Sequence, residues 1–393
     1  MSGLTPKQRK LSLAAAIASS GGMGLASAMT YPLIAVYLEG RGYSSLAIGT
    51  VAAAFSIGIF AGGPVLPLLL RRVGTVVTVV LGALVGAACV ALFPFGRYLG
   101  FYFALRLAMG MGNAWHWMVG ESWINTVASD AHRGKVIALY ATLWGASTAV
   151  GPALLAAVGS EGIAPFFLAG AALAATVPPV VMARSLAPSL GRGVEVAGVY
   201  RLVRLLPIAA LVGVVCGFSE SLGLTLLPVY GSELGLDADR AVLLTASFAL
   251  GNFLLQVPIG WLADRMRPIA LVAACALVLT AGVLAIPAAF SAGAVLWPLL
   301  VVVGGTAGGF YTLGLVLVGR RFEGGQLATA SAGFILSYTA GMSVGPPVAG
   351  SAMDALGPSG LIGVWGIAMA AFTVGVLAYL FRPAARAGGS TQA

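Results

Sequence analysis

Ionisable side chains are scarce in the apolar stretches of this sequence, and the few present set the chemistry open to it. Glu220 stands in Ser219-Glu220-Ser221, in the middle of an apolar run. A carboxylate there is costly to keep ionised, which suits a group that takes up and releases a proton; a structural side chain bonded to Ser or Asn neighbours on the first or eighth span is the alternative. Arg106 is the one cation inside such a run, where an unpaired arginine is expensive. A substrate contact accounts for it, and so does a structural ion pair or a tie to a backbone carbonyl. Glu121 follows fifteen positions later, about 22 Å away along a helix and out of reach of Arg106. It fits a gate partner of Arg133, Lys135 or Arg71, or a direct substrate or proton ligand. His116, one of two histidines, fits a packing side chain or a proton relay.

On a helical wheel Arg106, Gly110, Asn113, Trp117, Gly120 and Glu121 fall within about 60° of one direction. This stripe is expected to line a cavity, with Trp115 pointing the opposite way. Asn252 and Gln256 share a helix face at i and i+4, at a depth comparable with Glu220. Tyr311 and Tyr338 can reach the same cavity, although packing explains either. Glu220, His116 and Glu121 are therefore the proton-coupling candidates. Arg106, Asn113, Trp117, Asn252, Gln256, Tyr311 and Tyr338 form the candidate substrate cavity.

The elements that must position these residues are membrane-spanning helices. The 393 residues are 59% hydrophobic and only 8% charged, against roughly 25% charged in ordinary soluble domains. The mean hydropathy of +0.99 agrees. A bilayer core takes about 20 apolar residues per helix. Cutting at charges and at Gly/Pro breaks gives twelve segments, roughly 11–38, 46–70, 75–96, 99–128, 135–158, 163–183, 206–231, 240–263, 268–290, 294–319, 326–353 and 360–381. Seventeen of the 21 Lys and Arg residues fall on one side of these segments and three on the other. The positive-inside rule then places both termini in the cytoplasm. The net charge of +9 is spread over short inter-segment runs, a pattern that argues against nucleic-acid binding. Cys89, Cys216 and Cys275 lie in apolar stretches without CxxC spacing, so neither a metal site nor a disulfide is implied.

The second half repeats the first. At an offset of 193 residues, Val36-Tyr37 falls on Val229-Tyr230, Gly42 on Gly235, Phe55 on Phe248, Gly58 on Gly251 and Arg72 on Arg265. At 194, Gly110 falls on Gly304, Gly120 on Gly314 and Gly151-Pro152 on Gly345-Pro346. The expected fold is an all-α membrane protein of twelve transmembrane helices in two six-helix repeats. Residues 1–183 form the first half, 184–205 a cytoplasmic linker, and 206–393 the second half with a short disordered tail. Repeated halves place a pathway at their interface, near the membrane midplane.

Three motifs resemble those of the major facilitator superfamily. Gly260-Trp-Leu-Ala-Asp-Arg-Met-Arg267 resembles its GxLADRxGRK loop, and the resemblance implies a cytoplasmic gate containing Asp264 and Arg265. The first-half counterpart around Arg71 and Arg72 has arginine where the acid belongs. Arg106-Leu-Ala-Met-Gly110-Met-Gly112 resembles the RxxxGxG signature. Gly151-Pro152 and Gly345-Pro346 resemble the Gly-Pro motif common in exporting antiporters, and both also suit close helix packing. The stretch from Gly110 to Trp123, followed by His132-Arg133-Gly134-Lys135, is similar to the YcaD-type branch of bacterial facilitators.

The expected function is secondary active transport by alternating access: proton-coupled export of a small organic or amphiphilic compound. The implied setting is the bacterial inner membrane, as a monomer, with no cofactor or metal. Import of a small metabolite, and a transport-fold sensor without transport, are the alternatives. No GxxxxGK[ST] loop is present to power the cycle with nucleotide. Neither HExxH nor another zinc or acyl-transfer pattern suggests an enzyme.

Overall fold

The computed structural model describes residues 5–129, 132–190 and 204–381. The first half contains α1 (Pro6–Glu39), α2 (Ser45–Leu92), α3 (Leu99–Val127), α4 (Arg133–Val158), α5 (Ala164–Ala174) and α6 (Val177–Met182). The second contains α7 (Pro207–Ser221), α8 (Leu227–Glu233), α9 (Ala238–Arg265), α10 (Pro268–Ser291), α11 (Leu296–Gly319), α12 (Gly324–Leu356) and α13 (Ser359–Leu380). Most of the expected 184–205 linker and of the tail lies outside the described residues.

Local sequence sets several boundaries. Thr5 caps α1 in a reciprocal box with Gln8, and Pro6 follows at the first helical position, where its missing N–H costs nothing. Gly74, at φ 80°, breaks α2 into two arms, so expected segments two and three appear as one element. Segment six is two short helices instead of one. Segment seven is interrupted by a π-helical turn over Leu222–Leu226, immediately after Glu220. Such turns often mark functional positions. Among the described residues nine helical stretches are long and apolar enough to cross a membrane. Leu99–Val127 and Gly324–Leu356 are long helices outside that set.

Residues matched by the sequence repeat do matching work in the two halves. Gly42 and Gly235 both take positive φ, 77° and 92°, and each is followed two residues later by a helix cap, Ser44 or Asp237. A Cβ on Gly110 would stand 2.0 Å from the Phe55 carbonyl oxygen, and one on Gly304 would stand 1.9 Å from that of Phe248. Glycine at these crossings lets two backbones touch. In lipid, where apolar side chains gain nothing by leaving their solvent, that packing is what holds helices together.

The halves meet along two seams, α2 against α12 and α4 against α9. Gly49 lies on the Pro346 carbonyl and Gly350 on that of Ser45, while Gly145 abuts the Phe253 ring. Gly151 packs on Ala28 and Leu25, and Gly345 on Ser221 and Phe218. Both Gly-Pro motifs therefore sit at tight crossings, Gly151-Pro152 within its own half and Pro346 additionally on the inter-half seam.

Candidate functional site

Glu220, 7% exposed, is the centre of a polar cluster in the second half. Tyr338 Oη donates to its Oε2 at 2.5 Å, and Asn252 Nδ2 donates to its Oε1. Gln256 Nε2 in turn donates to Asn252 Oδ1 at 3.0 Å. The i, i+4 spacing on α9 thus builds a relay of amides behind the carboxylate. All its partners are neutral. Tyr338 does more than pack, and the Tyr311 ring stands edge-on to it at 5.5 Å.

The first half is arranged differently. Ser27, which occupies the position matching Glu220, donates to Asn113 Oδ1 at 3.3 Å. His116 Nε2 meets Ser19 Oγ at 2.9 Å, and its Nδ1 has no partner among the described residues. Both lie on a cavity of about 20 Å³ inside the first half, with Thr30 and Phe55 among its walls. That volume is room for about one water.

The polar stripe on α3 is not the continuous cavity wall expected. Gly110 is pressed onto α2, and Arg106 is 1% exposed. The guanidinium lies over the rings of Phe55 (4.6 Å) and Tyr31 (5.2 Å), and its Nε and Nη1 find no acceptor. It does not pair with Glu220, although Tyr31 is within electrostatic reach of both. The 100° wheel groups these side chains correctly, but close packing at the glycines covers the upper part of the stripe. Trp117 and Glu121, nearer the other end of α3, remain half-buried. Trp117 stacks with Trp144 at 6.3 Å, and Trp144 lies 6.3 Å from Tyr140. The charge of Glu121 reaches Tyr140 and, across the interface, Tyr311. Its carboxylate makes no hydrogen bond or ion pair with a described residue.

At the end of the molecule holding the 40–44 and 234–237 loops, three carboxylates of the second half grip the first. Asp354 accepts from the Ser45 and Leu46 amides at 2.7 and 3.2 Å. These are unpaired N–H groups at the start of α2, where the helix dipole also favours an anion. Glu233 accepts from Ser45 Oγ at 2.9 Å. Asp239 accepts from Ser160 N and Oγ at 2.8 and 2.7 Å. None of the three acids carries a sequence motif, so nothing in residue type or spacing separates them from ordinary loop charges.

The opposite end carries the expected gate residues, and Arg71, Arg72, Arg133, Asp264 and Arg265 are all exposed there. Arg265 lies 3.8 Å over the Trp261 ring and donates to its carbonyl. Asp264 makes no bond to a described residue. Arg320, outside the expected set, donates to the Ala263 carbonyl at 2.7 Å. The polar bonds between halves thus gather at one end, and the half-buried aromatic cluster around Glu121 lies towards the other.

The sequence profile of the Major Facilitator Superfamily matches residues 14–198 and again 209–393. An uncharacterized MFS-type transporter of Bacillus subtilis (strain 168), YfkF, is 24% identical over 252 residues. That match covers 62% of this chain and 63% of the relative, less than two thirds of its length. The uncharacterized MFS-type transporter YcaD of Escherichia coli (strain SE11) is 24% identical over 331 residues, 82% of this chain and 84% of that protein. Among solved structures, a mutant of the nucleoside transporter NupG superposes with a TM-score of 0.78 at 12% identity, covering 95% of this chain and all of that one. A D-xylose-proton symporter gives 0.68 at 16% identity, covering 94% and 97%. With the family profile matched in both halves and the fold shared over nearly its full length, this chain belongs to the major facilitator superfamily and is a multi-pass membrane transporter, not an enzyme.

Proposed function

We propose that this protein is a proton-coupled exporter of a small organic, amphiphilic compound, working by alternating access with Glu220 as the proton carrier. The observation that carries the reading is a carboxylate buried in the second half and held only by neutral donors. A permanent structural role would call for a cation, because burying an unpaired charge is expensive. Neutral donors hold the group in place and leave its charge free to change.

Counting the two arms of α2 separately and adding Leu99–Val127 and Gly324–Leu356 to the nine apolar stretches supports twelve spans. The lysine and arginine asymmetry supports a bacterial inner-membrane protein with both termini in the cytoplasm. In that orientation the three-carboxylate seam closes the outer side, and the cavity opens to the cytoplasm. Asp264, with no bond to a described residue, and Arg265, bonded to Trp261 of its own helix, then stand in the open state of a gate that forms when the halves rock over. An aromatic cavity loading from the cytoplasm supports export, with protons entering as the compound leaves. The protein acts as a monomer, since each half finds its partner surface within the chain.

The test uses purified protein in liposomes with an imposed pH gradient and a mixture of small organic compounds read by mass spectrometry. At least one compound moves against its gradient only while the pH difference lasts. Movement independent of the pH difference contradicts the coupling, and no movement of any compound contradicts transport.

A further inference from the structure

The half-buried aromatic cluster at the end away from the carboxylate seam has a defined chemistry. Glu121 stands about 9 Å, or six residues, before the end of α3. Trp117 lies one turn before it on α3 and stacks on Trp144, which contacts Tyr140, while Tyr140 and, from the other half, Tyr311 are within electrostatic reach of its charge. All five side chains are half-buried. Arg106, the one buried cation among the described residues, is shut beneath Tyr31 and Phe55. What the cluster offers is therefore an acid and ring faces, and no described cation forms an ion pair with Glu121.

Resting on the transporter reading above, we propose that Glu121 and its four rings form the recognition site for a lipophilic organic cation. Ring faces attract a cation through their quadrupole, most strongly tryptophan. A carboxylate with no hydrogen bond or ion pair to a described residue supplies the opposite charge. Two of the rings, Trp117 and Tyr311, occupy matching positions in the sequence repeat at the 194-residue offset. One ring from each half contributes, so a bound cation touches both bodies and is sensitive to their rocking. Glu220 lies deeper, beyond Tyr338 and Tyr311. A cation at Glu121 and a proton at Glu220 then compete through charge without sharing a site, which fits exchange of one for the other.

The experiment compares three aryl probes on the purified full-length protein: tetraphenylphosphonium, tetraphenylborate of the same shape and opposite charge, and the smaller neutral triphenylphosphine oxide. Tryptophan quenching and equilibrium binding are both recorded. The phosphonium is expected to bind at least about tenfold more tightly than the other two. Glu121→Gln lowers its affinity by about tenfold or more while the protein elutes unchanged on size exclusion, and Glu121→Asp restores part of it. Trp144→Leu weakens it without changing net charge. Equal binding of the three probes, no phosphonium binding, or an unaffected Glu121→Gln variant overturns the site. Liposome transport separates this from the wider reading. Gradient-driven movement of neutral or anionic compounds but not of the phosphonium overturns the cation site alone. Phosphonium binding with no movement of any compound upholds the site and overturns the transporter reading.

Discussion

The two halves set rings at the same places and charges at different ones. Trp117 and Trp144 stack at 6.3 Å in the first half, and Tyr311 and Tyr338, at the matching positions, meet edge-on at 5.5 Å in the second. Beside these rings the first half carries Glu121, where the second has Leu315. The second carries Glu220, Asn252 and Gln256, where the first has Ser27, Ile59 and Gly63. Glycine crossings such as Gly110 on Phe55 and Gly304 on Phe248 are shared. Backbone contact fixes the architecture in both halves. Side chains away from these backbone contacts are free of that constraint, and there the halves differ.

Breaking the shared part should cost most and cost both halves alike. Gly304→Leu and Gly110→Leu each force a side chain into a carbonyl oxygen about 2 Å away, far inside contact distance. Loss of folded, monodisperse protein is expected for both, read by size exclusion of a fluorescent fusion. Folding of one but not the other would show that the two crossings are not equivalent.

Next in size is the seam between the halves. Asp354→Ala strips the acceptor from two N–H groups at the start of α2, a loss of roughly 1–3 kcal/mol at buried Ser45 and less at exposed Leu46, whose N–H turns to water. The equilibrium shifts away from the seam-closed state, and a cysteine placed near that end gains reactivity towards an impermeant thiol reagent. Unchanged labelling would mean that packing along α2 and α12 closes this end without the carboxylate.

A smaller effect separates the two ring pairs. Tyr338→Phe keeps the ring and removes one donor to Glu220, so gradient-driven transport should fall by about tenfold, the effect of one hydrogen bond to a charged group. Trp144→Phe at the matching position leaves proton coupling within about threefold of wild type, because it bonds no titratable group. Equal effects on coupling would remove the asymmetry between halves. The smallest change is Ser27→Ala, which deletes one 3.3 Å bond to Asn113. Melting and transport should both stay close to wild type, the lost bond being worth about 1 kcal/mol at most.

Much of this was legible in the sequence because it follows from local rules. Apolar length showed the spans, and the 193- and 194-residue offsets found the turn at Gly42 and Gly235 and the crossings at Gly110 and Gly304. The i, i+4 pair Asn252 and Gln256 emerged with Glu220 at the right depth. The burial of Arg106 and Gly110 was not legible, because a wheel knows the face of a residue and not what packs against it. The carboxylate seam was hidden for another reason. Asp354 and Ser45 are 309 positions apart, and the acceptor's partners are backbone amides that leave no mark in side-chain type.

The most direct test is Glu220→Gln in liposomes, assayed two ways on the same preparation. Gln keeps the size of the side chain and its place beside Tyr338 and Asn252 but carries no titratable proton. Substrate exchange at equal pH should persist, while accumulation driven by a pH gradient should disappear. Accumulation by the Gln variant at the wild-type rate would contradict Glu220 as the proton carrier.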